Sequence, residues 1–158
     1  MAWTSPKTWA ADDVLTASDL NTHVRDNLKA ATEWANFTVT WAGTGGTPSL
    51  GNGTLTGRYL VAGDLCHVSI KLLWGSTTTA NSATAWTFSL PVTAAGSAVL
   101  TGVANDFGTA VYLGSARIDS GNTTAQFFAD AGSTAWGATT PFTWTNQDAV
   151  YVSGTYEV

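Results

Sequence analysis

The residues able to do chemistry in this chain are few and scattered. His23, His67 and Cys66 are the whole stock of imidazole and thiol groups. One cysteine and two distant histidines do not make a tetrahedral zinc site in one chain. A Ser-His-Asp hydrolase would need His67 as its base, and no Gly-x-Ser-x-Gly elbow exists; Leu113-Gly-Ser-Ala-Arg117 lacks the second glycine. Two carboxylates on a β scaffold can hydrolyse a glycosidic bond, which brings Asp106, Asp119 and Asp130 under consideration. Each stands beside Asn, Ser, Gly or Ala, where aspartate usually forms an Asx-turn. Asp119-Ser-Gly-Asn122 brings a single carboxylate and no downstream glutamate, too little for calcium. Gly43-Thr-Gly-Gly46 is followed by neither lysine nor helix, and reads as a flexible linker rather than a phosphate cradle. Cys66, in mid-strand between Leu65 and His67, reads as a small buried hydrophobe. The expectation is a non-enzymatic protein with no catalytic residue, no metal and no cofactor.

Binding is better supported than catalysis. Trp86, Trp136 and Trp144 fall near turns beside Thr and Asn, where exposed indoles would stack on sugar rings; core or interface packing is the competing reading for all three. Gly75-Ser-Thr-Thr-Thr-Ala-Asn-Ser-Ala-Thr84 is long, polar and uncharged, as suits an exposed tip. Trp3 and Trp9 stand in an aperiodic N-terminal stretch. Each indole buries about 150–250 Å² when packed, so they either cover the body's edge or plug a partner's surface.

The elements that must carry these groups are mostly strands. The 158 residues include 27 Thr and 16 Gly, and 11% are charged, against about 25% in an ordinary soluble domain. Thr and aromatic residues suit a pleated, half-buried surface. Period-two segments separated by Gly, Asn and Asp turns predict strands over 37–41, 55–61, 65–74, 86–90, 98–104, 110–118, 123–129 and 149–157. Cys66, Val68, Ile70, Leu72 and Trp74 alternate with Leu65, His67, Ser69, Lys71 and Leu73. About eight such strands, with no repeat of 20–50 residues, predict a mainly β fold, a jelly roll or β-sandwich head over residues 35–158. A short N-terminal arm and one amphipathic α-helix, residues 1–34, precede it.

That first segment holds eight of the seventeen charges. Thr16-Ala-Ser-Asp19 reads as a capping box opening a helix over about 17–33. Leu20, Val24, Leu28 and Ala31 form one apolar stripe. Read in heptads, Ala17, Leu20, Val24, Asn27, Ala31 and Trp34 line the seam, and Asn27 there would fix register and copy number. An isolated helix this short is marginal in water, so it must pack on its own body, on sister copies or on a larger partner.

A net charge of −5 with six basic residues leaves no footprint for nucleic acid. No run approaches 18 apolar residues, so no membrane insertion is expected. Met-Ala-Trp-Thr-Ser-Pro-Lys does not read as a secretory signal, although the neutral Thr- and Ser-rich body suits an exterior setting. Synthesis in a host cytoplasm and release by lysis, as for virus particles, reconciles the two. Val111-Tyr-Leu113 and Phe127-Phe-Ala129 are apolar on both faces, which predicts a second buried interface and a homo-oligomer.

Trp9-Ala-Ala-Asp-Asp-Val-Leu-Thr-Ala-Ser-Asp-Leu-Asn21 with His23-Val-Arg-Asp-Asn27 resembles the N-terminal segment of small virion proteins from phages of actinobacteria. Pro48–Tyr59, Leu73-Trp-Gly-Ser-Thr77, Phe88-Ser-Leu-Pro91, Pro141-Phe-Thr-Trp144 and Val152-Ser-Gly-Thr-Tyr156 are similar to β domains of phage head-fibre and tail-fibre proteins. The resemblance implies a homotrimer with a jelly-roll or complement-C1q-like head, located on the virion surface. It supplies no catalytic residue. A structural role is expected, and the short arm favours a capsid decoration or head fibre seated on another virion protein through Trp3, Trp9, Leu20, Val24 and Leu28. A tail-associated protein that binds host surface glycans is the alternative, and a polysaccharide depolymerase stands further back.

Overall fold

The computed structural model describes residues 4–129 and 134–158. Trp3 and Asp130, singled out above, lie outside them. Helical structure runs as α1 (Ala17–Leu20), a π-helical turn (Asn21–Arg25) and α2 (Asp26–Thr32). Ten strands follow: β1 (Ala35–Phe37), β2 (Trp41–Thr44), β3 (Thr54–Ala62), β4 (Leu65–Leu73), β5 (Thr84–Ser89), β6 (Ala98–Asp106), β7 (Ala110–Ile118), β8 (Thr124–Ala129), β9 (Thr134–Ala135) and β10 (Ala149–Glu157). The chain is mainly β, as its alternation predicts.

The strands form one antiparallel sheet in the order β1-β3-β4-β10-β6-β7-β8-β5-β2, with β9 added to β8. Side-chain alternation fixes the register. Leu72, Ile70 and Cys66 of β4 face inward opposite Val150, Val152 and Tyr156 of β10, and a slip of one residue would turn both rows toward water. β3 and β4 join through the two-residue turn Gly63–Asp64. Gly63 has φ 61° there, a left-handed conformation open to glycine.

The sheet curls on itself. β4 is third in the order and β2 ninth, yet Trp41 of β2 lies 5.4 Å, ring to ring, from Trp74 just after β4. Two layers therefore face each other in a jelly-roll-like sandwich, filled by Val68, Ile70, Leu72, Phe88, Leu100, Phe127 and the indoles of Trp74, Trp86, Trp136 and Trp144. The predicted strand over 37–41 is a correction. Those residues span the crossover from β1, which pairs β3 at one end of the sheet, to β2, which pairs β5 at the other. Between them Thr40 bonds its backbone N–H to Ser89 Oγ at 2.8 Å. Gly43–Gly46 is likewise no linker. A Cβ at Gly43 would meet Ala83 and Trp86, and one at Gly46 would run into the Asn81 carbonyl.

Asp148, fully buried, closes the end of the sandwich. Its carboxylate accepts from the Phe107 N–H at 2.9 Å and from the N–H and hydroxyl of Thr145. These hydrogen bonds satisfy a buried carboxyl group and tie the β6–β7 turn to the start of β10.

Candidate attachment surface

Among the described residues the candidate catalytic groups are not gathered into a site. Asp106 and Asp119 open turns at opposite ends of β7, accepting at their backbone carbonyls from Thr109 and Asn122. A nine-residue strand lies between them, roughly 30 Å of chain, whereas the paired carboxylates of glycosidases stand within about 10 Å. His23 lies on the helix with Nδ1 3.0 Å from the Ser5 carbonyl. His67 lies on β4, with Nδ1 2.9 Å from Thr155 Oγ1. Cys66 is fully buried, and burial pushes its thiol pKa up, away from reactivity. Among the described residues no three His, Cys, Asp or Glu side chains come together as metal ligands.

The expected glycan platform is corrected by burial. Trp86 and Trp136 are 0% exposed and Trp144 is 7% exposed, so none presents a ring face to a sugar. They join Trp41 and Trp74 in one cluster: Trp74 stacks on Trp144 at 5.6 Å, and Trp86 meets Trp41 edge-on at 4.8 Å. Trp86 Nε1 donates to the Ala83 carbonyl and Trp144 Nε1 to that of Gly137, which removes the polar cost of burying an indole. A cavity of about 410 Å³ opens beside Trp74 and Trp144, lined by Thr78, Thr79 and Asn81. Two of its polar side chains are already engaged, since Thr78 Oγ1 donates to the Leu50 carbonyl and Asn81 Nδ2 to that of Thr47.

The arm and helix are built differently from the heptad expectation. Asp19 N–H donates to Thr16 Oγ1 at 3.1 Å, as the capping box requires, and the Asp19 carboxylate accepts from the Thr16 hydroxyl and from Lys7 Nζ. These bonds, the Thr16 hydroxyl first, hold the Asp19 pKa below its ordinary 3.8. A lowered carboxylate pKa stabilises the folded form above the unfolded value and stops doing so as pH falls through the folded one. Helical signal from residues 17–20 should therefore persist down to about pH 4 and decay below it, followed by the Asp19 amide resonance.

Asn27 is a further correction. It sits 5% exposed and spends its amide on its own chain, not on a seam between copies. Oδ1 accepts from the Thr4 N–H at 3.0 Å and the Thr4 hydroxyl at 3.1 Å, while Nδ2 donates to the carbonyls of Thr4 and His23. It clamps the arm along the helix. Asn27→Ala should weaken that docking by about 1–2 kcal/mol and speed trypsin cleavage after Lys7 about tenfold.

With the arm on the polar side, the apolar stripe is left bare. Leu20, Val24 and Leu28 are 44%, 54% and 63% exposed, and Val14 and Leu15 just before the helix are exposed too. Of the other expected attachment residues, Ala31 is half-buried and Trp9 is exposed, with Lys7 Nζ 4.4 Å above its ring. Trp34 closes the helix onto the sheet. Its ring stands edge-on to His67 at 5.2 Å and under the Arg58 guanidinium at 5.2 Å. No sequence signal marks that latch, because its three members stand on separate elements.

The chain is thus a β-sandwich head bearing an arm-clamped helix whose apolar face has no partner among the described residues. Compared with protein-family models, with curated proteins and with solved structures, it matches none. No helix among the described residues is long and apolar enough to cross a membrane.

Proposed function

We propose that this chain is a non-enzymatic structural protein of a phage virion, a homotrimeric surface decoration or head fibre seated on the capsid through its N-terminal arm and helix, with the β head outward. One observation carries the reading. The helix turns Asn27 and Ala30 inward and leaves Leu20, Val24 and Leu28 bare, the reverse of what a helix serving its own domain does. Such a stripe is complete only against sister helices or a larger partner. The tail-associated, glycan-binding alternative is less well supported, because its three candidate tryptophans are core residues. The test is the copy number of this protein relative to the major capsid protein, by quantitative mass spectrometry of purified virions. Hundreds of copies per particle are expected. A few copies to a few tens would move it to the tail or a unique vertex, and absence from the particle would end the virion reading.

A further inference from the structure

The outer face of the sheet carries a second bare apolar surface, independent of the helix. Tyr151 of β10, Val103 of β6 and Leu113 of β7 are direct register partners, forming one continuous row across three strands. Val111 stands two residues from Leu113 and so on the same face. Leu113 is 69% and Val111 63% exposed. Strand alternation normally gives this face polar residues, and the next row does so with Ser153, Thr101 and Ser115. The inward neighbour Tyr112 packs on Phe142 at 5.1 Å, so β7 is apolar on both sides and, among the described residues, only one side is used.

We infer that this row is the contact between the heads of neighbouring copies, an inference that rests on the helix-mediated assembly proposed above. Area selects the occupant. At about 60–120 Å² for each fully buried aliphatic side chain, the sheet row leaves on the order of 300 Å² bare, and Val14, Leu15, Leu20, Val24 and Leu28 a similar amount. Neither approaches the ~800 Å² per partner of a stable interface, whereas both together with a polar rim do. Both surfaces belong to one chain, and Trp34 fixes the helix to the head. Copies joined by their helices therefore hold their heads side by side at an effective concentration near millimolar. Among the described residues nothing on the row repels a copy. Its in-register borders Thr101, Ser115, Ser153 and Asn105 are uncharged, and the one flanking cation, Lys71, lies 5.4 Å over the ring of its own Tyr151. A tyrosine among aliphatic residues is also the composition of an interface centre.

The test is hydroxyl-radical footprinting of the full-length protein, with mass measured by light scattering in the same samples. The reference is the variant carrying Leu20→Ser, Val24→Ser and Leu28→Ser together. In the wild-type oligomer, labelling of Leu113 and Val111 should fall about fivefold or more below a monomeric reference, as exposed side chains become interface core. Leu113→Arg, at a position too exposed to matter for folding, should raise the dissociation constant about tenfold or more. An oligomer whose Leu113 and Val111 label as in the monomer, or whose affinity Leu113→Arg leaves unchanged, overturns the head contact and leaves the helix reading standing. A triple variant that stays oligomeric with Leu113 protected supports the head contact and overturns the helix reading. A wild-type chain that is monomeric at every concentration overturns both.

Discussion

Trp86→Ala is expected to cost about 3–5 kcal/mol of folding free energy, a large part of the 5–15 kcal/mol that stabilises a domain of this kind. The residue is 0% exposed on β5, and its ring lies among Trp41, Trp74 and Trp144 at centroid distances of 4.8, 6.0 and 5.1 Å. Truncation opens a cavity among three closely packed indoles. It also strips the Ala83 carbonyl of the 3.1 Å bond from Nε1. Trp86→Phe separates the two losses, because it keeps most of the apolar volume and deletes only the donor. About 1 kcal/mol is expected for it, since the Ala83 carbonyl still accepts from the Ala138 N–H at 2.9 Å. Chemical denaturation measures both, and the alanine variant should melt roughly 6–20 °C lower. An alanine variant within 1 kcal/mol of wild type would mean that the cluster is not the keystone between the two layers.

That cluster marks where the sequence stops being legible. The faces of β4 and β10 could be read directly, since Cys66 to Leu72 and Val150 to Tyr156 alternate without interruption and each strand is long enough to average out exceptions. Phe37, Val39 and Trp41 alternate just as well, yet they belong to two strands and the crossover between them. Period two reports which face a side chain takes and carries nothing about which neighbour the backbone pairs with. The tryptophans failed as surface candidates for a similar reason. Nearness to a turn in sequence says little about burial when the burying partners, Trp41 and Trp74 for Trp86, come from other strands. Asn27 reads as a seam residue from its spacing alone, because its actual partner Thr4 lies 23 residues away on an arm without periodicity. The two-sided apolarity of Val111-Tyr-Leu113 was legible because it needs only the strand's own alternation.

The triple change Leu20→Ser, Val24→Ser and Leu28→Ser should turn the assembled protein into a monomer while leaving its fold intact. All three side chains are about half exposed or more in the single chain, so removing them deletes little packing, and serine lowers helix propensity by only a few tenths of a kcal/mol per position. The cost falls on association. Burying the exposed part of each leucine or valine is worth about 1–1.5 kcal/mol, so three positions contribute about 3–5 kcal/mol per copy, or two to three decades in the dissociation constant. Light scattering across a concentration series reads that shift, and circular dichroism with thermal melting checks the head. The contrast with Trp86→Ala is the point of doing both. One substitution should lower stability through residues the chain buries for itself, and the other should lower assembly through residues it leaves bare. A triple variant that melts early would place the stripe inside the domain's own packing. One that keeps the wild-type mass would show that sister helices are not what the stripe meets, leaving the receiving virion protein as its partner.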